Sequence, residues 1–153
     1  IQFGHNDEVP TKKTYTTETE FTQNLENFVK EAREKKLHPL LFTPMARRKF
    51  DNNGNIEGTH EVYSELIRKT ASRLQVPLID MDRISQSFYQ EMGVENSKLL
   101  FLQLKPGQHP NYPQGKEDNT HFNELGARLL AELVLKELKS TAPDLMQFLV
   151  KKS

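Results

Sequence analysis

Apolar residues recur three or four positions apart in four stretches of the chain, which is the spacing of one face of an α-helix. The first stretch, from about Thr17 to Lys35, opens with threonines that suit a helix N-cap. Asn123 suits the N-cap of the last and longest stretch, and Pro143 opens one more short helix. The residues that carry the four patterns are Phe21, Leu25, Phe28, Val29 and Ala32; Val62, Tyr63, Leu66, Ile67, Ala71 and Leu74; Ile84, Phe88 and Met92, which are predicted to face inward; and Leu125, Leu129, Leu130, Leu133, Val134 and Leu138.

Short apolar runs between these helices suit buried strands. They are Ile1–Phe3, which Gly4 follows, Leu37–Thr43 and Val76–Asp80. The stretch 103–120 holds three prolines and two glycines without periodicity, so we expect a loop there. Strands that alternate with helices predict an α/β domain with a parallel sheet, which we expect to span residues 1–153. Chemistry in such sheets gathers beyond the carboxyl ends of the strands.

Composition excludes several classes of protein. The formal net charge is zero, from 21 basic and 21 acidic residues, so no global positive field attracts nucleic acid or an anionic membrane. Because cysteine is absent, disulfides, zinc–thiolate sites and thiol nucleophiles are excluded. No run of 18 apolar residues occurs, so nothing in the sequence predicts a membrane-spanning helix.

Two short motifs carry the candidate chemistry. Gly4-His5-Asn6-Asp7 follows the first predicted strand, and Asp118-Asn119-Thr120-His121 precedes the longest predicted helix. Asp118 and His121 are three positions apart in a predicted turn, so the carboxylate can accept a hydrogen bond from the imidazole and orient it as a general base. Asn6 offers a neutral N–H donor of the kind that an oxyanion hole uses. Taken singly, each motif also fits ordinary turn chemistry or helix capping.

Together the two motifs resemble the third and fifth sequence blocks of the SGNH (GDSL-type) hydrolases. The resemblance covers nearly the whole chain and is greatest to the rhamnogalacturonan acetylesterase branch. The segments that carry it are Phe3-Gly4-His5-Asn6-Asp7; Thr43-Pro44, Ala46-Arg47-Arg48 and Phe50-Asp51; Val76-Pro77-Leu78-Ile79-Asp80; Asn111-Tyr112-Pro113 and Gly115; Asp118-Asn119-Thr120-His121-Phe122; and Gly126-Ala127.

The resemblance implies a three-layer α/β/α, flavodoxin-like fold with a parallel sheet of strand order 2-1-3-4-5. In the family, the Gly-Asp-Ser block with the nucleophile and the glycine of the second block lie upstream of the Gly-x-Asn-Asp block. We therefore expect that residue 1 is a cut point and that the N-terminal strands are lacking here. A missing N-terminal segment, or another chain, would complete the sheet.

The same resemblance implies a role for each matching residue. Asn6 corresponds to the oxyanion-hole asparagine, His121 to the general base and Asp118 to its partner. The implied activity is hydrolysis of acetyl esters on a pectic polysaccharide such as rhamnogalacturonan, without a metal or organic cofactor, by a secreted or periplasmic protein. The substrate is then an acetylated polysaccharide or oligosaccharide.

Substrate contacts are predicted from residue type and position. Arginine binds galacturonate carboxylates in a bidentate manner, so Arg47 and Arg48 are candidates, although a solvated loop pair explains them equally well. His5 is a further candidate. Tyr112 and His109 could stack on a sugar or line the pocket, or serve only as loop residues. His38 and His60 are expected at the surface, near helix ends.

Other interpretations of the chain stay open. None of the serines lies in a Gly-Asp-Ser or Gly-x-Ser-x-Gly motif. The serines of the chain are Ser64, Ser72, Ser85, Ser87, Ser97, Ser140 and Ser153. The chain could therefore come from a non-catalytic carbohydrate-binding or interaction protein of the same fold. Lipases and thioesterases share both motifs. A metal site built from His5, Asp7, Asp118 and His121 is a further, less favoured alternative.

Overall fold

The computed structural model describes residues 1–150. Two compact units are formed, the first from residues 1–45, 60–82 and 134–150 and the second from 46–59 and 83–133. The elements in chain order are α1 (Glu18–Glu34), β1 (Leu41–Phe42), α2 (Glu61–Leu74), β2 (Leu78–Ile79), α3 (Met81–Asn96), a 3-10 helix (Ser97–Leu100), β3 (Phe101–Leu104), β4 (Lys116–Phe122), α4 (Glu124–Thr141) and a 3-10 helix (Pro143–Phe148).

Parallel strands form the centre of the first unit. Leu41 of β1 pairs with Leu78 of β2, and Phe42 pairs with Ile79. On the other side of β1, Gln2 forms a parallel bridge to Phe42. The alternation of helices and strands and the parallel pairing that the sequence predicts are confirmed, and the fold class is α/β.

Two amphipathic helices cover this pairing. Helix α1 begins at a capping box, in which the side chain of Thr17 accepts from the N–H of Glu20 and the Glu20 carboxylate accepts from the N–H of Thr17. Helix α2 ends at Gln75 in the left-handed conformation, with φ of 50°. Their inward residues form one buried cluster with the strands: Phe21, Leu25, Val29, Leu41, Tyr63, Ile67, Ala71 and Val76. Burial of each large apolar side chain stabilises the unit by about 1.5–3 kcal/mol.

Phe3 departs from the sequence-based expectation. The run Ile1–Phe3 was expected to end a buried strand, but Gln2 alone bridges to β1 and the Phe3 side chain is 46% exposed. The Phe3 ring stacks on Phe28 of α1, with centroids 5.3 Å apart. The prediction of burial is therefore wrong for Phe3, because its ring packs on the exposed ring of Phe28 and not in the core.

An antiparallel pair forms the sheet of the second unit. Strand β3 pairs with β4, and Phe101 lies opposite Phe122. The prediction of a loop over residues 103–120 is wrong at both ends of that range. Gln103 and Leu104 belong to β3, and residues 116–120 belong to β4. Strand β4 is polar and mostly exposed, so it shows no alternation of apolar residues that would indicate a strand.

Helix α3 presents a different face from the one predicted. Ile84, Phe88 and Met92 are only partly buried, whereas Met81, Ser85 and Tyr89 have no exposed surface. Ser85 belongs to the buried face because its hydroxyl accepts a hydrogen bond from the N–H of Ala46 at 2.9 Å. Because Ser85 is polar, the buried face of α3 does not show as a continuous row of apolar residues in the sequence. Gly93, with φ of 75° and ψ of 175°, interrupts the helix.

Asn123 fixes the start of α4 directly after β4, as the predicted N-cap. Its Oδ1 accepts from the N–H of Gly126 at 3.0 Å, while its Nδ2 donates to the carbonyl oxygens of Leu99 and Phe101. Pro143 likewise opens the last 3-10 helix, as predicted. Among residues 1–150, no helix is long and apolar enough to cross a membrane.

Gly126 is predicted to be essential for the packing of α4. A Cβ atom at this position would overlap the carbonyl oxygen of Leu100 and lie 2.8 Å from its carbonyl carbon. Gly126→Ala should therefore lower the free energy of unfolding by about 1–3 kcal/mol, although alanine normally favours a helix by about 1 kcal/mol. Urea denaturation measures the change, with the exposed Glu132→Ala as the control in the same helix. A more stable Gly126→Ala variant would contradict this packing.

Candidate functional site

The predicted site residues are divided between the two units. His5 and Asn6 belong to the first unit, and Arg47, Arg48, Tyr112, Asp118 and His121 to the second.

Asp118 and His121 lie within an irregularity of β4. Phe101 pairs with Phe122 and Gln103 pairs with Glu117, so residues 118–121 stand opposite the single residue Leu102. A bulge of this kind breaks the regular ladder and re-aims side chains, and such bulges are common beside active sites. The residues that carry the candidate chemistry are thus the ones that leave the ladder.

The Asp118 carboxylate holds this bulge in shape. Its Oδ1 accepts from the backbone N–H of Thr120 at 2.8 Å and of His121 at 2.9 Å. Its Oδ2 lies 2.8 Å from Nδ1 of His121. The imidazole contact expected from the three-residue spacing is therefore confirmed as geometry, and its catalytic role stays a prediction.

Hydrogen bonding keeps Asp118 ionised. Burial of the carboxyl group acts to raise its pKa, but the hydrogen bonds from the backbone and ring of His121 and from Thr120 outweigh burial. The result is a pKa of Asp118 lowered to about 2. An ionised carboxylate needs a donor, so it favours the tautomer of His121 that carries its proton on Nδ1 and leaves Nε2 as the basic nitrogen.

The exposure of the two side chains suits unequal tasks. The Asp118 side chain is 10% exposed and the His121 side chain is 77% exposed. The carboxylate is therefore shielded while the imidazole remains accessible. Such a pair can accept a proton at Nε2 and stabilise the resulting imidazolium.

Arg48 is directed into the second unit rather than toward solvent. The residue is 8% exposed, and its guanidinium donates to Ser97, to Asn119 and to the carbonyl oxygen of Val94. The solvated-loop interpretation is therefore wrong for Arg48. With its donors committed to internal partners, Arg48 is poorly placed to bind a substrate carboxylate.

The remaining loop candidates of this unit lie partly buried. Arg47 donates its backbone N–H to Thr59 Oγ1 at 2.9 Å. Tyr112 and His109 form a short antiparallel bridge, and their ring centroids are 5.6 Å apart. Substrate binding by Arg47 and Tyr112 stays a prediction.

The Gly4–Asp7 motif forms a tight turn in the first unit. Gly4 has φ of 111°, which favours glycine, and its N–H donates to Asp7 Oδ2 at 3.0 Å. Asn6 within this turn is exposed, as an oxyanion donor must be before substrate binds. Its role as that donor stays a prediction.

His60 was wrongly expected at the surface. It has no exposed surface, its Nδ1 contacts Glu8 Oε1 at 2.5 Å, and its ring lies 4.5 Å from that of His5. Because His5 belongs to the motif and Glu8 follows it directly, His60 supports the turn that contains Asn6. His38 is exposed, as expected.

The other chemistries raised by the sequence can be compared with the described residues. Three of the serines, Ser64, Ser85 and Ser97, have no exposed surface. Within residues 1–150, no three His, Cys, Asp or Glu side chains form a group that could hold a metal ion.

Comparison with known proteins places the chain in a family. The model of the GDSL-like lipase/acylhydrolase family matches residues 1–134, and the chain belongs to this family. It is 44% identical over 151 residues to the rhamnogalacturonan acetylesterase RhgT of Bacillus subtilis (strain 168), covering 98% of this chain and 64% of that protein. It is 34% identical over 153 residues to the probable rhamnogalacturonan acetylesterase YesY of the same strain, covering 99% and 66%.

A solved structure agrees with this assignment. The X-ray structure of the protein YxiM from Bacillus subtilis superposes with a TM-score of 0.73 at 26% identity, covering 91% of this chain and 35% of that one. The expected α/β fold of the SGNH hydrolases is confirmed. The chain spans about two thirds of the length of the two acetylesterase relatives, at 64% and 66%.

The low pKa of Asp118 predicts how stability depends on pH. The folded-state pKa of about 2 lies below that of an aspartate in an unfolded chain, about 4. The ionised carboxylate therefore stabilises the fold above about pH 4, and this contribution is lost as the pH falls through about 2. The difference in unfolding free energy between the wild type and Asp118→Asn should shrink over that range.

Urea denaturation at several pH values measures this difference, and carbon-13 NMR follows the Asp118 carboxyl group directly. A difference that stays constant from pH 6 to pH 2, or a carboxyl group that titrates near pH 4, would contradict the hydrogen-bond arrangement at Asp118.

Proposed function

We propose that this chain supplies the general base and an oxyanion donor of a serine-type ester hydrolase that removes acetyl groups from a pectic polysaccharide such as rhamnogalacturonan. The observation that carries the proposal is the Asp118 carboxylate held 2.8 Å from Nδ1 of a largely exposed His121. Membership of the acylhydrolase family and identity to two proteins named as acetylesterases support it.

The proposed reaction uses a serine outside these 153 residues as nucleophile. Its hydroxyl attacks the acetyl carbonyl carbon while Nε2 of His121 takes the hydroxyl proton, and Asp118 stabilises the imidazolium. The Asn6 side-chain N–H donates to the oxyanion of the tetrahedral intermediate. Collapse of the intermediate expels the sugar alkoxide, which receives the proton from His121. Water then hydrolyses the acetyl-serine by the same steps and releases acetate.

The substrate class is proposed from the relatives and from residue chemistry. Both acetylesterase relatives carry rhamnogalacturonan in their names, and that polymer bears galacturonate carboxylates. Arg47 can bind such a carboxylate in a bidentate manner, and the adjacent rings of Tyr112 and His109 offer surfaces for a sugar. A polymeric substrate of this kind is met outside the cytoplasm, so we propose a secreted or periplasmic location.

A second candidate function follows from the serines. None of them lies in a Gly-Asp-Ser motif, which favours a non-catalytic carbohydrate-binding protein if the full-length protein also lacks that motif. Binding of acetylated oligosaccharide without release of acetate would support this alternative.

Substitution of the base and its partner is expected to abolish turnover. In the full-length protein that contains these residues, His121→Ala should reduce kcat by roughly 10⁴- to 10⁶-fold, because the serine hydroxyl loses its proton acceptor. Asp118→Asn should reduce kcat by roughly 10³- to 10⁴-fold, because the imidazole loses its orienting carboxylate. Release of acetate from acetylated rhamnogalacturonan measures both effects.

The control for this prediction separates the base from a metal ligand. Activity of the wild type should survive exhaustive dialysis against EDTA, and the exposed His38→Ala should keep full activity. Activity that EDTA removes and zinc or manganese restores would contradict the proposal and make Asp118 and His121 ligands.

Asn6→Ala is expected to affect kcat and not KM. An oxyanion donor acts on charge that develops in the transition state, so kcat should fall by roughly 10²- to 10³-fold while KM changes little. Steady-state kinetics on the full-length protein separate the two constants, with the neighbouring exposed residue Lys12→Ala as control. A rise in KM alone would mean that Asn6 binds the substrate before the reaction.

A further inference from the structure

Arg48 makes a set of contacts that the proposed reaction does not use. Its backbone N–H donates to the carbonyl oxygen of Asn119 at 2.9 Å, and its Nη1 donates to Asn119 Oδ1 at 3.0 Å. Asn119 lies inside the bulge, between Asp118 and His121. One arginine thus holds the bulge at both the main chain and the side chain of the same residue.

The other end of the Arg48 guanidinium is anchored in the interior of the second unit. Nε donates to Ser97 Oγ at 2.8 Å, and Nη2 donates to the carbonyl oxygen of Val94. Ser97 has no exposed surface, and its hydroxyl also lies 3.3 Å from that carbonyl oxygen. The guanidinium therefore connects the bulge to the end of α3 and the 3-10 helix that follows.

Gln103 holds the bulge from the facing strand. Its Nε2 donates to the carbonyl oxygen of Asp118 at 2.9 Å and lies 3.2 Å from Asn119 Oδ1. The carbonyl group of Asp118 cannot pair regularly with β3 at this point, because residues 118–121 face only Leu102. A side-chain amide from β3 takes the place of the missing ladder partner.

We propose that Arg48 is a positioning residue, assisted by Gln103, that fixes the bulge in the shape in which Asp118 orients the His121 imidazole. The inference rests on the proposed function, since it assigns a task in support of that base. Arg48 touches neither His121 nor Asp118 through its side chain in these contacts. Its effect on them passes through Asn119.

The planar guanidinium is what this task requires. Three separate acceptors lie around it, and its nitrogens donate in fixed directions that match them. A lysine keeps the positive charge but offers a single nitrogen on a flexible stem. Arg48→Lys should therefore keep the charge and release the bulge, which makes it the informative substitution.

The first test uses NMR on the full-length protein that contains these residues. In the wild type, nitrogen-15 shifts of neutral His121 should show the proton on Nδ1, and Asp118 should titrate near pH 2. In Arg48→Lys, the Nε2-protonated tautomer should appear, and the Asp118 titration should move upward as its donors loosen. Arg128→Lys is the matched control, because Arg128 is 70% exposed and pairs only with Glu124 in the contacts that the structure describes.

The second test uses the full-length protein and kinetics. Arg48→Lys should lower kcat by about 10- to 100-fold with KM changed less than about twofold, because a misplaced base slows the chemical step. Gln103→Leu should give a smaller effect of the same kind. Arg128→Lys should leave both constants unchanged.

The outcomes separate the inference from the proposed function. A folded Arg48→Lys chain with the wild-type tautomer and Asp118 titration would overturn the positioning role, and so would a rise in KM alone, which would indicate substrate binding. If the Arg48→Lys variant does not fold, the Gln103→Leu variant tests the positioning role by the same NMR criteria, because Gln103 is only half-buried. Full-length wild type without esterase activity would refute the proposed function, while the NMR result would still decide whether Arg48 controls the pair.

Discussion

The hydrogen bonds that converge on the Asp118 carboxylate determine the shape of the candidate site in the second unit. Where β4 leaves the ladder, the N–H groups of Thr120 and His121 need new acceptors, and Oδ1 of Asp118 supplies both. The other oxygen is then available for the His121 ring. One carboxylate therefore satisfies the backbone and orients the His121 imidazole, so the structural task of Asp118 and its proposed chemical task cannot be separated by removing it.

Each half of the proposed chemistry has its own support. In the second unit, Arg48 contacts the bulge at Asn119, and Gln103 contacts it at the carbonyl group of Asp118. In the first unit, buried His60 contacts Glu8 and packs on His5, next to the turn that contains Asn6. The exposed residues of the proposed site are thus held by neighbours that are more buried, and such support would keep the geometry of a site before substrate binds.

Sequence alone predicts the parts of this molecule that depend on local patterns. The spacing of Phe21, Leu25 and Val29 and the threonines at the start predict α1, and the three-residue spacing predicts the Asp118–His121 contact. Polar long-range contacts leave no such pattern. Arg48 reaches Asn119 across 71 positions, and β4 pairs through its backbone with polar side chains, so neither could be predicted from periodicity. The burial of His60 is contrary to the predicted surface position, because a lone histidine near a helix start has the sequence pattern of a surface residue.

The proposed function requires that Asp118, His121 and Asn6 serve a serine nucleophile outside these 153 residues. Mass spectrometry of the full-length protein, after reaction with a serine-reactive fluorophosphonate, identifies that nucleophile. We expect one phosphonylated serine, located outside the 153 residues, and no labelling when His121 is replaced by alanine. Absence of any adduct, or an adduct on a serine within the chain such as Ser72 or Ser87, would refute a serine nucleophile outside these 153 residues.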